Sequence, residues 1–331
     1  MKKMLRRTLA LGCAAALLTA VGLTACKPNP VIDGDYRTPT AAELAHAVSS
    51  IDENALLRDP ASDAFGFSIQ GDIDLNINAA GDSVIMNGEG NYDIAIPNVN
   101  EAGSVGKGSL RLNASQAVDG TAGTYVLSGD VYHDSDNLYL DVVDGTEPYC
   151  GKIPFGDLVA ILEDLFGDVS GGGVLPMRHV QLLKVPSQET QDMEDMLEEL
   201  AAAGISVGLD DSAGLKLKFY ANDDYFRAIE ESTTGGFGEI DFRFQGKTLE
   251  VYLYINEDGT FEQFSVYIDM GYSASYPEET ADYSMDAQLV IRRSQESVTL
   301  PEELYDENEY PPLDPDSWAT GLRFDRSGDL R

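Results

Sequence analysis

The hydrophobic pattern of this chain alternates with a period of two over most of its length, which predicts β-strands. The clearest run starts at Phe65, and its apolar side chains fall on one face: Phe65, Phe67, Ile69, Ile73, Leu75 and Ile77. Further strands are predicted at 83–96, 106–118, 123–133, 137–143, 214–220, 237–245, 248–256, 261–272 and 282–293. Within each run the turns are too short for crossover connections, so the strands are predicted to pair as an antiparallel meander.

Helical spacing appears in four shorter segments. Thr40 and Glu43 form a capping box, and the apolar residues after it recur at helical spacing: Leu44, Ala47, Val48 and Ile51. A broad apolar stripe runs from Phe155 to Phe166, and a helix with Met193 and Met196 is predicted to end at Gly204. A short helix is predicted after Asn222.

The second run of strands predicts how sheet and helices pack. In 251–255 both faces are non-polar, with aliphatic side chains on one and Tyr252 and Tyr254 on the other. Such a strand is covered on one side and half-covered by amphipathic rings on the other. The sequence therefore predicts an α+β fold, a large curved antiparallel sheet (an incomplete barrel) with helices packed on its concave face.

An apolar pocket remains if the helices do not fill that concavity, and such pockets are the usual form of small-molecule and lipid sites. The candidate residues for this cavity are Phe65, Phe67, Ile69, Leu158, Leu162, Met193, Met196 and Leu253. The alternative is a fully packed core without a cavity.

The N-terminus has the pattern of an export signal. Four basic residues precede an apolar stretch over 8–23, and Leu23-Thr-Ala-Cys26 follows. This tetrapeptide resembles the lipobox of bacterial lipoproteins, which implies that Cys26 carries a diacylglyceryl group and becomes the mature N-terminus. The alternatives are a transmembrane anchor, for which the apolar stretch is short of the roughly 20 residues needed, or an ordinary signal peptide with a chance cysteine.

These patterns predict a division into four segments: a signal peptide at 1–25, a tether at 26–39, a single folded domain at 40–302 and an acidic, mostly extended or disordered tail at 303–331.

The charge of the chain limits its partners. Loss of residues 1–25 removes four basic and no acidic residues, so the formal charge changes from −35 to −39. Such a surface repels nucleic acid and anionic lipid headgroups. Without a basic patch, the acyl chains alone must hold the protein at a membrane, and two chains suffice. Only Cys150 is left as a free thiol, so no intramolecular disulfide is predicted.

The sequence offers little for catalysis or metal binding. The three histidines, His46, His133 and His179, lack metal-ligand partners at helical or hairpin spacing and are predicted at the surface or a sheet edge. Cys150 is predicted to be a small buried hydrophobic residue, because no base is adjacent in sequence. The pairs Asp134/Asp136 and Asp210/Asp211 are predicted to be solvated turns, with weak calcium binding as the alternative. We therefore predict no enzymatic activity, no cofactor and no metal.

The order of elements resembles the LolA-like family of lipoprotein carriers and their lipidated relatives in Gram-positive and mycobacterial envelopes. The shared features over 40–302 are the lipobox tether, an N-terminal helix, a long meander, mid-chain helices, a second run of strands and the exit Val298-Thr-Leu-Pro-Glu302. The resemblance implies an incomplete barrel around an acyl-chain cavity, and a role in carrying lipids or lipidated proteins. The acidic tail from Tyr305 departs from that pattern.

Together these observations predict a lipid-anchored protein on the extracytoplasmic face of the cell membrane that binds a lipid or acyl chain without chemistry. Its predicted partners are the membrane, through Cys26, a lipid ligand and an envelope protein, with nucleic acid excluded. The alternative function is a surface protein-interaction or envelope-sensing lipoprotein with a packed core.

Overall fold

The fold is dominated by one open antiparallel sheet. The structure is a computed structural model that describes residues 29–49, 51, 65–79, 81–96, 103–118, 121–155, 190–236, 241–275 and 280–313. Eleven strands form the sheet in the order β6-β5-β4-β3-β2-β1-β11-β10-β9-β8-β7, and the sheet is not closed into a barrel. Because β1 pairs with both β2 and β11, the two halves of the chain meet at the centre of the sheet.

The strands are long, and several reach 15 residues. Their bounds are β1 Phe65–Ala79, β2 Asp82–Ile96, β3 Val105–Val118, β4 Thr121–His133, β5 Asn137–Asp144, β6 Glu147–Pro154, β7 Ile205–Asp210, β8 Leu215–Ala221, β9 Asp241–Ile255, β10 Phe261–Ser275 and β11 Thr280–Ser294. The three described helices are α1 Ala41–Ser49, α2 Thr190–Ala202 and α3 Asp223–Gly236, and a 3-10 turn spans Glu302–Tyr305.

The predicted fold class, α+β with a large antiparallel sheet and packed helices, is confirmed. Three details of the strand prediction are corrected. The two strands predicted at 237–245 and 248–256 are a single strand, β9, whose pairing with β10 shifts register between Gly271 and Tyr272. The edge strands β6 and β7 were not predicted, because glycine or proline weakens the alternation within each.

Register divides the sheet into an apolar concave face and a polar convex face. Directly opposed residues lie on the same face, so the pairs Leu75–Met285, Val266–Leu289 and Ile69–Ile291 are all concave. The alternate positions, such as Asp74 opposite Asp286, are convex. The alternation seen in the sequence therefore matches the two faces.

The described helices cover one end of the concave face. Helices α1 and α2 pack on each other, and the core beneath them contains Leu44, Val48, Met193, Leu209, Leu215, Leu217 and Ile255. Helix α3 packs on β8 and β9, with the ring of Phe226 against Phe244. The predicted capping box of α1 is confirmed, since Thr40 N donates to Glu43 Oε2 over 2.8 Å and Glu43 N donates to Thr40 Oγ1 over 3.3 Å.

Both edges of the sheet are paired with chain-terminal segments. At one edge Arg37 forms an antiparallel bridge with Leu209 of β7, and at the other Pro312 forms a parallel bridge with Lys152 of β6. Leu304 and Tyr310 pack on Tyr139 of the convex face. Residues 303–313 are therefore docked on the sheet, which corrects the first part of the predicted tail, while 314–331 lie outside the described residues.

Candidate functional site

The candidate site is an apolar strip on the concave face of the three central strands. We define the central strip by six side chains, two from each strand: Ile69 and Leu75 of β1, Val266 and Ile268 of β10, and Leu289 and Ile291 of β11. All six are half-buried, whereas the side chains beneath α1 and α2 are almost completely buried. Among the described residues, the strip is therefore an apolar surface that its neighbours only partly cover.

The dimensions of the central strip suit an acyl chain. A strand of 15 residues spans about 50 Å at about 3.3 Å per residue. One leaflet of a bilayer has a hydrocarbon depth of about 15 Å, half of the ~30 Å core. A lipid chain can thus lie fully extended along one strand of this face.

The residues predicted to line the cavity are distributed over three places. Met193, Met196 and Leu253 lie together in the core beneath α1 and α2, where Met193 is 0 % exposed. Leu158 and Leu162 lie outside the described residues.

Phe65 and Phe67 are buried, with ring centroids 4.5 Å apart, and Phe67 lies 5.7 Å from the ring of Phe261. Ile69 packs on a separate cluster around Tyr92 and also belongs to the central strip. The structure therefore brings together only part of the predicted set.

Five residues of the central strip were missed by sequence reasoning, namely Leu75, Val266, Ile268, Leu289 and Ile291. Leu75 belongs to the predicted apolar face of the first strand, and Val266 and Ile268 lie in the strand predicted at 261–272. Only the exposed fraction of each side chain distinguishes them from core residues. No local pattern reports that fraction, because it depends on where helices lie in the fold.

In the β1–β6 half, the described part of the chain places aromatic rings on the concave face. Tyr92 and His133 stack with centroids 5.7 Å apart, and both are buried. The glycines opposite them provide the space, since a Cβ on Gly106 would be 2.4 Å from the His133 ring. His133 is thus a core residue, and the prediction of a surface or edge position for it is wrong. Its alternation with Val131 was the sequence signal for burial.

The His133 imidazole is paired on both nitrogens. The Tyr92 hydroxyl lies 2.6 Å from Nδ1, and Ser104 Oγ lies 3.0 Å from Nε2. A neutral imidazole has one donor and one acceptor, and hydroxyls can serve either, so both contacts are satisfied in either tautomer. Burial lowers the pKa of His133 from 6.5 to about 4, because removal from water disfavours the charged ring. This ring is neutral at physiological pH and has a packing role.

The convex face is polar and carries a row of carboxylates. Asp74, Asp286 and Asp269 are directly opposed on β1, β11 and β10. Within the described ranges, no group of three or more histidine, cysteine, aspartate or glutamate side chains is arranged to hold a metal ion. A shallow depression of about 150 Å³ on the same face is lined by both polar and apolar side chains of β2, β3 and β4, among them Asn87, Asn113, Ile85 and Val126. The carboxylate row offers an apolar ligand no site.

Two predicted environments are corrected. Asp210 is buried and not a solvated turn residue: it accepts hydrogen bonds from Ser212 Oγ at 2.7 Å and from the Asp35 backbone at 3.2 Å. The Ser212 hydrogen bonds lower the pKa of Asp210 to about 2. Cys150 is only half-buried, and its thiol donates to the Glu309 carbonyl at 3.1 Å, where partial burial raises the pKa of the thiol.

Comparison with known proteins adds no function. No family model matches the sequence, and no curated protein matches it. A β-barrel-like protein of domain of unknown function DUF1849 from Brucella abortus is 10% identical, with 71% of this chain and 100% of that chain covered and a TM-score of 0.16. A DUF1329 family protein from Desulfovibrio piger is 11% identical, with 81% and 96% covered and a TM-score of 0.13. The translocator domain of the autotransporter NalP from Neisseria meningitidis is 10% identical, with 77% and 98% covered and a TM-score of 0.14. Scores this low carry no argument.

In the part of the chain that the structure describes, no helix is both long and apolar enough to cross a membrane. Cys26 and the apolar stretch before it lie outside the described residues, so lipidation stays a prediction from sequence.

Proposed function

We propose that this protein is a lipoprotein, anchored through Cys26 at the extracytoplasmic face of the cell membrane, that binds a lipid or acyl chain non-catalytically on the concave face of its sheet. The observation that carries the proposal is the half-buried central strip. The part of this apolar strip that is still in contact with water costs free energy at about 25 cal/mol per Å², and a bound acyl chain would recover part of that cost. The polar and acidic convex face supplies solubility.

The ligand test uses an uncharged probe, since the acidic surface would repel an anionic one. The mature chain without its acyl groups is titrated with N-phenyl-1-naphthylamine, whose fluorescence rises in apolar surroundings. Leu289→Glu places a carboxylate in the central strip, where its desolvation opposes binding, and should weaken probe affinity at least tenfold. Native mass spectrometry of the wild-type chain, purified without detergent, should reveal a bound lipid mass.

The matched control for Leu289→Glu is Ser284→Glu, which adds the same charge to the exposed convex face of the same strand. Its probe affinity should stay within about twofold of wild type, and both variants should retain the wild-type circular dichroism spectrum. A wild-type chain with neither a bound lipid mass nor saturable probe binding would overturn the ligand function.

The anchor is tested by Cys26→Ala, which removes the thiol that the lipobox reaction modifies. We expect the protein to leave the membrane fraction or to be mislocalised, whereas Cys13→Ala, inside the predicted signal peptide, should leave membrane retention unchanged. Retention of the Cys26→Ala protein in the mature, processed form would contradict lipidation.

A further inference from the structure

The N-terminal segment 29–39 lies across the convex face at one end of the strands. We call this the proximal end; it consists of the start of β1 and β10 and the ends of β9 and β11. Arg292 Nη2 donates to the Asn29 carbonyl over 3.2 Å, and Ser265 Oγ donates to the Pro30 carbonyl. Further along, Lys216 Nζ donates to the Asp33 carbonyl over 2.9 Å. These contacts follow β11, β10 and β8 in order.

The segment is held along its whole described length. Pro30 and Ile32 are buried, and the Tyr36 ring packs at 6.2 Å from that of Tyr252. The Tyr36 hydroxyl donates to the Ile32 carbonyl over 2.8 Å. The bridge of Arg37 with Leu209 completes the path at the sheet edge. The position of Asn29 is therefore set by the fold rather than by a flexible linker, which corrects the prediction of a tether over 29–39.

The covalent chain from this fixed point to the predicted lipid is short. Asn29 is the third residue after Cys26, and three residues span at most about 11 Å. The headgroup layer of one leaflet is about 5–7 Å thick, from the difference between total and hydrocarbon thickness. A lipidated Cys26 at the inner boundary of the headgroup layer would use about half of this reach to cross the layer. Asn29 would then lie within about 5 Å of the outer surface of the headgroups.

On the concave face, the ring cluster of Phe65, Phe67 and Phe261 lies at the same proximal end. Phe67 is paired with Arg293, the neighbour of the Arg292 side chain that binds the Asn29 carbonyl. The next concave residue along β1 is Ile69, the first member of the central strip. At the proximal end, the segment that leads to Cys26 therefore lies on the convex face of the sheet, and the central strip lies on the concave face.

We infer that the proximal end of the sheet faces the membrane in which the protein is anchored, so that a lipid chain enters from that end and passes the rings of Phe65 and Phe67 to reach the central strip. This inference rests on the proposed lipidation and ligand function. The occupant of the proximal end is the membrane surface itself, and the short reach of 26–29 selects it over a distant protein partner.

The orientation is tested by energy transfer on the lipidated full-length protein in phosphatidylcholine vesicles with an acceptor lipid. A donor is attached to Glu257→Cys, in the exposed turn at the proximal end, or to Thr280→Cys, exposed at the opposite end of β11. Both are made with Cys150→Ser so that only one thiol reacts. A strand separates the ends by about 50 Å, so transfer should be at least threefold higher from position 257.

The control is a chain with twenty Gly/Ser residues inserted after Lys27, which adds a coil of about 25 Å r.m.s. length. In this chain the two transfer efficiencies should differ by less than 1.5-fold. The rate at which the protein takes up a fluorescent phospholipid from its own vesicle should fall at least fivefold, while the affinity of the unlipidated chain for the uncharged probe stays within twofold.

Equal transfer from both positions without the insertion would overturn the orientation. An uptake rate unaffected by the insertion would overturn entry at the proximal end. A protein with the expected transfer difference that binds neither probe nor phospholipid would support the orientation and overturn the ligand function, so the two failures are distinguishable.

Discussion

Two regions of one apolar face differ in what lies on them. Beneath α1 and α2, Leu209 and Met193 are 0 % exposed and Ile255 is 2 % exposed. A few strands away, Leu289 and Ile268 are half-buried. The side chains are equally apolar, so composition does not separate a core from a candidate ligand surface. The difference comes from the position of the helices.

The two helices are held near the β7 edge by short connections. Helix α1 follows the bridge of Arg37 with Leu209, and α2 leads into β7 through Gly204. Gly204 has φ +74°, and a Cβ there would be 2.3 Å from the Tyr225 nitrogen, so a side chain cannot be accommodated without movement. The packing of the described helices is concentrated on β7, β8 and β9 as a result.

The largest expected effect tests whether the helix-covered region is a true core. Leu209→Ala removes a completely buried side chain and leaves a cavity, which should lower the free energy of unfolding by about 2–5 kcal/mol. Leu289→Ala in the central strip should cost only about 1 kcal/mol, because less apolar area returns to water. Urea unfolding of both variants measures the difference, and equal losses would mean that the strip is packed like the core.

The next effect concerns His133, which packs among aromatic rings on the concave face. Its folded pKa is about 4 against 6.5 when unfolded. Between these values the unfolded chain binds a proton that the folded chain does not, so stability falls as pH is lowered from 6.5 to 4. The wild type should lose up to about 3 kcal/mol more than His133→Asn over this range.

Unfolding of both proteins in urea at several pH values tests the His133 prediction. The variant is the control for all other titrating groups, since only the His133 contribution differs. Parallel stability curves for the two proteins would show that the ring is not held neutral by burial.

A smaller effect is expected at the start of α1. Thr40→Ala removes the N-cap oxygen that accepts from Glu43 N and should cost about 1 kcal/mol. Arg227→Ala breaks an exposed ion pair with Asp224 and should cost less than about 0.5 kcal/mol. Thermal unfolding compares them, and because neither touches the central strip, probe affinity should be unchanged. Weaker probe binding by Thr40→Ala would contradict the separation of the two regions.

Much of the fold was predictable because its determinants are local. Period-two alternation identified the long strands, and the Thr40–Glu43 spacing identified the start of α1. The edge strands β6 and β7 were missed because Pro148 and Gly151 interrupt the alternation of β6 and Gly208 weakens that of β7. Two predicted strands form the single strand β9 because its pairing with β10 continues across a register shift. This pairing depends on both strands, so the sequence of one segment does not predict it.

The sequence predicted that the candidate site is an apolar surface, but it did not predict which residues form it. The sequence pointed to an apolar concave face, and it placed Met193 and Leu253 in a cavity that the structure describes as packed core. It treated His133 and Asp210 as solvated. The His133 ring is buried in space left by Gly106, which has no side chain, and Asp210 is buried by the segment around Asp35, 175 residues away. Long-range neighbours decide such environments.

The sequence by itself determined the α+β class, the two-faced long strands, the acidic surface and the prediction of a lipid on Cys26. These depend on side-chain order and charge, which act locally. Only the tertiary structure decided which stretch of the apolar face stays half-exposed, and that 29–39 is docked beside Arg292 rather than free. Burial and docking depend on contacts between distant parts of the chain, which hydrophobic periodicity does not specify.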